Sequence, residues 1–230
     1  MATTTHITHI EPEQLFLHLL PPATRRAFLL AQRISFLNTS GWYLAGGTAL
    51  ALQTGHRQSV DLDFFTPRTR IPNLAVERAL LATKKWEATY RESGTLYGKL
   101  AGAKMSFISY PFFIPSKQRM QCGAVRILFP HDIAAMKIIA ISQRGRKRDF
   151  VDLYWYCRNR EPLFDIILQS LSQYPGQEHN INHIIKSLTY FADAEHDPMP
   201  KCFFKVSWPE IKRFLSREAT ETARKLLKLD

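Results

Sequence analysis

The stretch Leu44-Ala-Gly-Gly-Thr-Ala-Leu-Ala-Leu-Gln-Thr-Gly-His-Arg-Gln-Ser-Val-Asp-Leu-Asp-Phe-Phe65 decides how this chain is read. It runs as an apolar strand, a Gly46-Gly47 turn, a short helix from Thr48 and a second strand carrying Asp61 and Asp63. Residues i and i+2 of a strand share a face, so the two carboxylates project together while Leu62 and Phe64 point the other way. Val60, Leu62, Phe64 and Phe65 are expected to bury the strand, and a carboxylate pair there is costly unless partners or a metal neutralise it. Hard oxygen donors of this kind suit Mg²⁺, which takes one or two protein carboxylates and completes its shell with water and substrate phosphates. Gly46 and Gly47, lacking Cβ atoms, let the backbone approach a phosphate closely, and the N–H groups of the helix starting at Thr48 favour an anion. An Asp-x-Asp that only caps a loop is the alternative reading of this pair.

Outward from this segment, the composition narrows the field. At 230 residues the chain has room for one large domain or two small ones with an ample hydrophobic core. Hydrophobic residues make up 45% of it, yet no apolar run reaches the length of a membrane span, as expected for a globular protein with no membrane partner. The polar start Met1 to Glu13 has no basic stretch followed by an apolar one, so a signal peptide is not expected and the cytoplasm is the expected location. Cys122, Cys157 and Cys202 lie far apart without Cys-x-x-Cys spacing, which argues against a disulfide framework and a structural zinc site. The formal charge of +11 implies a positive potential that attracts polyanions. A nucleic-acid substrate would benefit, because each phosphate contact by Lys or Arg releases counterions. A generic basic surface is the other reading.

The periodicity divides the chain in two. Residues Glu11 to Asn38 read as two helices interrupted at Pro21-Pro22. After the Gly-Gly segment come a helix at Asn73 to Lys84, β-like runs at Trp86–Arg91, Thr95–Leu100 and Ala103–Tyr110, an exposed loop around Pro111, Pro115 and Lys117 to Arg119, and a strand at Ala124–Phe129 expected to close the sheet. From His131 onward almost every periodic stretch is helical. The fold class expected is therefore α+β, with a mixed-sheet domain over residues 1–130 and a helical domain over 131–230. The last helix, about Pro209 to Leu229, reads as structural.

The helical half holds a second group of candidates. Lys137 lies in the apolar helix Asp132 to Ile141, where a lysine must either snorkel out or face a cleft in which an anion meets it. Asp149 and Asp152, three apart, share a helical face. Helix capping with an ion pair to Arg148 is the structural alternative for Asp149. In the first half, Arg57 could grip a phosphate bidentately or pair with Asp61 or Asp63, and Ser59 could bond substrate or cap a turn. His179 and His183 lack a third ligand, and Asp193, Glu195 and Asp197 read as a solvated turn with some chance of binding a basic segment elsewhere.

A small apolar residue, Gly-Gly, about a dozen residues and then Asp-Leu-Asp-Phe resembles the signature of the DNA polymerase beta type nucleotidyltransferase superfamily. The fuller string Gly46-Gly-Thr-Ala-Leu, Gly55-His-Arg, Ser59 and Asp61-Leu-Asp-Phe-Phe65 is similar to one branch, the AbiEii/AbiGii abortive-infection toxins. Pro130-His-Asp-Ile-Ala-Ala-Met-Lys137, Arg144-Gly-Arg-Lys-Arg-Asp-Phe-Val-Asp-Leu-Tyr154 and Leu188-Thr-Tyr-Phe-Ala-Asp-Ala-Glu195 extend the resemblance over most of the chain from Trp42.

The resemblance implies a nucleotidyltransferase-like mixed sheet flanked by helices, then a helical bundle that completes the cleft. It implies transfer of a nucleoside monophosphate from a nucleoside triphosphate (NTP) to an acceptor hydroxyl of RNA, such as a tRNA end, or of protein, by a toxin paired with an antitoxin. Asp61 and Asp63 would hold Mg²⁺ or Mn²⁺, with Gly46, Gly47, Thr48, Arg57, Ser59 and Lys137 at the nucleotide and Lys137, Asp149 and Asp152 among the catalytic residues. One departure stands out. Many superfamily members carry a third acid on a later strand, yet no Asp or Glu occurs between Glu92 and Asp132, and Ser106 is what the corresponding strand offers. A non-catalytic nucleotide- or RNA-binding protein on the same scaffold is accordingly the alternative function.

Overall fold

The computed structural model describes residues 6–69, 71, 73–175 and 180–227, and it divides into two compact units, Met1–Phe129 and Pro130–Asp230. The first unit is built on an eight-stranded mixed sheet. In chain order its strands are β1 His6–His9, β2 Tyr43–Ala45, β3 Leu62–Thr66, β4 Trp86–Glu92, β5 Thr95–Leu100, β6 Ala103–Ser109, β7 Gln118–Cys122 and β8 Val125–Ile127. They lie side by side as β1-β7-β8-β2-β3-β6-β5-β4. β2 and β3 are antiparallel, β3 and β6 run parallel, and β4, β5 and β6 form an antiparallel meander.

Helices α1 Pro22–Ala31, α2 Ser35–Thr39, α3 Gly46–Thr54 and α4 Asn73–Leu81 pack onto this sheet. Proline at the first position of α1 suits a helix start, where its missing N–H has no intrahelical partner to lose. The inner sheet face carries Leu62, Phe64, Leu96, Leu100, Met105 and Phe107, all buried. Phe64 stacks on Phe107 at 5.2 Å, and Trp42 meets Phe107 edge-on at 5.1 Å. Burying each such ring contributes roughly 2–3 kcal/mol. The alternation also fixes the opposite face, where Asp63, Tyr97, Lys99, Lys104 and Ser106 stand.

Two features shape that polar face. A register shift between Ala88 and Tyr90 leaves Thr89 as an extra residue in edge strand β4. The β5–β6 connection is the two-residue turn Ala101-Gly102, with φ of +50° and +87°. Positive φ at both central residues is the turn geometry that matches strand twist, and it pins Lys99 opposite Lys104.

The second unit is helical: α5 Pro130–Gln143, α6 Lys147–Asn159, α7 Leu163–Gln173, α8 Ile181–Ser187, α9 Ala192–Glu195 and α10 Trp208–Leu227. α5 packs on α6, α7 and α8, and α10 closes over the same three. In α10 the buried positions Ile211, Leu215, Ala219 and Thr222 form a single stripe at helical spacing. No helix among the described residues is long and apolar enough to cross a membrane.

Several expectations change. The segment before Pro21 forms two single turns of 3-10 helix, Pro12–Gln14 and Leu17–Leu19, rather than a full helix. Val60 precedes β3 and is 49% exposed, so it does not bury the strand. The polar run Gln118–Cys122 is strand β7, not loop, and β8 lies inside the sheet between β7 and β2 instead of closing it.

Because Ala101 holds a left-handed conformation that costs an L-residue with a Cβ about 1–2 kcal/mol, Ala101→Gly is expected to stabilise the protein by about 0.5–1 kcal/mol. Gly102→Val should destabilise it. Urea unfolding midpoints measure both, and equal midpoints for the three proteins would contradict this account of the turn.

Candidate active site

Asp61 and Asp63 line one cavity of about 300 Å³, together with Ser106, Lys99, Lys104, Tyr97 and Thr89. β3 carries Asp63 into register with Ser106 on β6. The Ser106 hydroxyl donates to Asp63 Oδ1 at 2.7 Å, from the position where the superfamily pattern leads one to look for a third carboxylate. A buried hydroxyl that donates to a carboxylate oxygen orients that carboxylate. Lys99, Lys104, Tyr97 and Thr89 were not anticipated as site residues. Their signal was present in the alternation of two neighbouring β runs, once the Ala101-Gly102 turn sets the register.

The segment from Gly46 to Ser59 is tied tightly to this strand. Gly46 begins α3 with φ of +71°, and a Cβ there would stand 3.1 Å from Asp63 Oδ2, so glycine keeps the approach to that oxygen open. Gly47 answers a different need from the one expected of it: a Cβ there would collide with the guanidinium of the buried Arg57. α3 begins at Gly46 and not at Thr48 as expected, so Thr48 is buried at its third position. Its hydroxyl donates to the Asp61 carbonyl oxygen and shares a 2.8 Å hydrogen bond with the Ser59 hydroxyl. Thr48 and Ser59 therefore hold the loop that delivers Asp61. Arg57 donates to the Gln58 carbonyl at 2.9 Å. The residue preceding α3, Ala45, offers no side-chain cap, so no capping side chain there competes with an anion for the first N–H groups.

A divalent cation fits this donor set. Asp63 on β3, Asp61 immediately before that strand and an open approach to Asp63 Oδ2 match an ion that takes one or two protein carboxylates. No cluster of three or more His, Cys, Asp or Glu suited to a metal occurs among the described residues, so the remaining ligands would be water and phosphate.

In the helical unit, Lys137 of α5 meets both aspartates of α6: its Nζ lies 2.5 Å from Asp149 Oδ1 and 2.8 Å from Asp152 Oδ2. All three side chains are buried, and Asp152 completely so. Lys137 thus does not snorkel, and Asp149 does more than cap a helix. The cap of α6 comes from the acidic turn instead. Asp197 Oδ2 accepts from the Lys147 backbone N–H at 3.1 Å, and the Lys147 ammonium donates to the Glu195 carbonyl at 2.9 Å beneath the Trp208 ring. Arg146 pairs with Asp197 at 3.1 Å. The acidic turn therefore binds a basic segment of the chain. His183 bonds the Ser142 carbonyl at 2.9 Å, and His179 lies outside the described residues. No disulfide joins Cys122, Cys157 or Cys202, and burial pushes the Cys122 thiol up to about 11 and the Cys157 thiol further, which suits neither to act as a thiolate nucleophile.

Comparison with known proteins fits this geometry. The profile of the family described as "Nucleotidyl transferase AbiEii toxin, Type IV TA system" matches residues 29–95 and 108–228. An uncharacterized protein of Aquifex aeolicus is 33% identical over 183 residues, which is 78% of this chain and 87% of that protein. The crystal structure of JHP933 from Helicobacter pylori superposes with a TM-score of 0.53 at 17% identity, covering 91% of this chain and 96% of that one. A second Helicobacter pylori crystal structure, assigned as a nucleotidyltransferase, gives 0.53 at 17% identity over 90% and 97%. Sheet, helical unit and superpositions together define the nucleotidyltransferase fold. The chain belongs to the AbiEii nucleotidyl transferase toxin family of type IV toxin–antitoxin systems, and is a nucleotidyltransferase.

Removing the cation from a buried ion cluster leaves carboxylates without their counter-charge, at a cost of about 3–5 kcal/mol. Lys137→Met should therefore lower the unfolding free energy by about that amount, while Lys137→Arg should lose less. Urea titration followed by circular dichroism measures both; a Lys137→Met protein as stable as the wild type would show that the cluster is not structural.

Proposed function

We propose that the protein moves a nucleoside monophosphate from an NTP to an acceptor hydroxyl, in a reaction that needs Mg²⁺ or Mn²⁺. The observation that carries this reading is the shared cavity of Asp61 and Asp63 beside a glycine-led, uncapped helix start. The acceptor oxygen forms a bond to the α-phosphorus, the bond from that phosphorus to the oxygen bridging to the β-phosphate breaks, and pyrophosphate leaves. The hydroxyl proton passes to a carboxylate. A bound divalent ion would neutralise the triphosphate and lower the pKa of an attacking oxygen. Asp61 and Asp63 are its proposed ligands. The N–H groups at Gly46, Gly47 and Thr48 are proposed to cradle phosphate, with Arg57 and Ser59 shaping the loop around the nucleotide.

Lys137, Asp149 and Asp152 are proposed to serve the same reaction, the lysine stabilising charge on the leaving pyrophosphate and an aspartate orienting or deprotonating the acceptor hydroxyl. Family membership and the charge of +11 support a toxin acting in the cytoplasm on an acceptor hydroxyl of RNA, such as a tRNA end, or of protein, and held in check by a cognate antitoxin. One observation favours the second reading, a binding protein without turnover: Ser106 stands where a third carboxylate would otherwise assist.

Two measurements test the proposal. Titration calorimetry should show that Asp61→Ala and Asp63→Ala abolish Mg²⁺-dependent NTP binding without loss of fold; undiminished affinity in both would remove the metal site. Incubation with each labelled NTP, Mg²⁺ and total RNA should label RNA in the wild type. Asp149→Asn or Asp152→Asn should depress turnover more than binding, whereas Lys137→Arg should weaken both. Tight NTP binding with no transfer to RNA or protein would favour the non-catalytic reading.

A further inference from the structure

The sheet order separates two sides of the aspartate strand. β2, which leads into Gly46 and the start of α3, flanks β3 on one side, and β6, β5 and β4 extend away on the other. A triphosphate seated at the Gly46 end therefore leaves the β6–β4 side to the second substrate. That side has a distinctive surface. Lys99 and Lys104 are direct cross-strand partners, and like charges so placed repel each other. Both are exposed, and neither forms an ion pair among the described residues, although Glu87 lies opposite Lys99 on β4.

Next to the lysines, Tyr90 and Tyr97 stack with ring centroids 5.6 Å apart and planes 27° from parallel, yet they remain 46% and 40% exposed. The Tyr90 hydroxyl donates to Glu92, which fixes its ring. Tyr97, Lys99 and Lys104 line the same cavity as Asp61 and Asp63. They also fall between the two segments matched by the family profile, so they belong to this chain's own version of the sheet.

From these observations we propose that the outer face of β4–β6 is the acceptor seat, and that its occupant is the end of a single-stranded polynucleotide. Its phosphates lie between Lys99 and Lys104, and its terminal base stacks on Tyr97, which Tyr90 backs. Lysines that meet backbone phosphates and exposed rings that offer a π-face are the pairing by which single strands are held without regard to sequence. A protein acceptor would need neither. The inference rests on the nucleotidyl-transfer reading, and it adds the face of the sheet and the residues that receive the acceptor.

The test uses the full chain and two ligands measured separately. A fluorescein-labelled single-stranded RNA of about ten nucleotides with a free 3′-hydroxyl, within the span such folds cover, is titrated by anisotropy at several salt concentrations. Each Mg²⁺–NTP is titrated by calorimetry. Tyr97→Ala should weaken RNA binding about tenfold while Tyr97→Phe retains it. The double variant Lys99→Gln, Lys104→Gln should reduce the slope of log affinity against log salt by about 1.4, since each lost phosphate contact on a single strand removes about 0.7. NTP affinity should be unchanged in all three. RNA affinity and slope identical to wild type in the Tyr97→Ala and double-lysine variants would overturn the proposal, as would a wild type that binds no RNA. Loss of NTP affinity in Tyr97→Ala would overturn it too, by assigning the ring to the incoming nucleotide. A wild type that binds RNA at this face but no Mg²⁺–NTP would instead defeat the transferase reading and leave the polynucleotide seat standing.

Discussion

The parallel pairing of β3 with β6 is the constraint on which the sheet unit depends. It sets Asp63 beside Ser106 and, on the reverse face, Phe64 beside Phe107. A slip of one residue would invert every side chain of β3, burying both carboxylates among the aromatic rings and sending Leu62 and Phe64 into water. Burial of those rings therefore enforces the exposure of the aspartates. The site needs no separate device to keep its acids on the accessible face, because the same register that fills the core delivers them there.

The helical unit solves an opposite problem. Lys137, Asp149 and Asp152 place charge in a buried setting where desolvation opposes it, and their close contacts offset that cost without exceeding it by much. Hydrophobic residues of similar volume would serve stability as well. What the ionic cluster adds is a fixed relation between α5 and α6, reinforced at the α6 start by Asp197 and by Lys147 beneath Trp208. An arrangement held from two directions keeps three charged groups in defined positions.

Much of this was legible in the sequence, for identifiable reasons. The Asp61/Asp63 alternation, the Gly-Gly helix start and the apolar periodicity of α5 are strong local signals. Strand β7 was not legible because Gln118 to Cys122 holds only two apolar residues, Met120 and Cys122, too short an alternation to mark a strand beside a proline-flanked basic segment. β1 was hidden for a related cause: all four residues are exposed at a sheet edge, so no buried face marks them. Gly47 was recognised as special but for the wrong contact, since its neighbour Arg57 comes from ten residues onward, through a loop whose path sequence spacing does not fix. Lys99 and Lys104 escaped notice because a lone lysine on a strand means little until the turn register makes it one of a pair.

The extra residue in β4 has an effect beyond the cavity that Thr89 helps to line. β4 is the outermost strand at its end of the sheet, and such an edge is a template onto which foreign strands can add. The bulge between Ala88 and Tyr90 bends that edge and breaks its ladder midway. A partner seeking to extend the sheet there meets backbone groups out of phase with its own. Recognition at this border is thereby shifted toward side chains, and pairing of this edge with the same edge of a second copy is disfavoured.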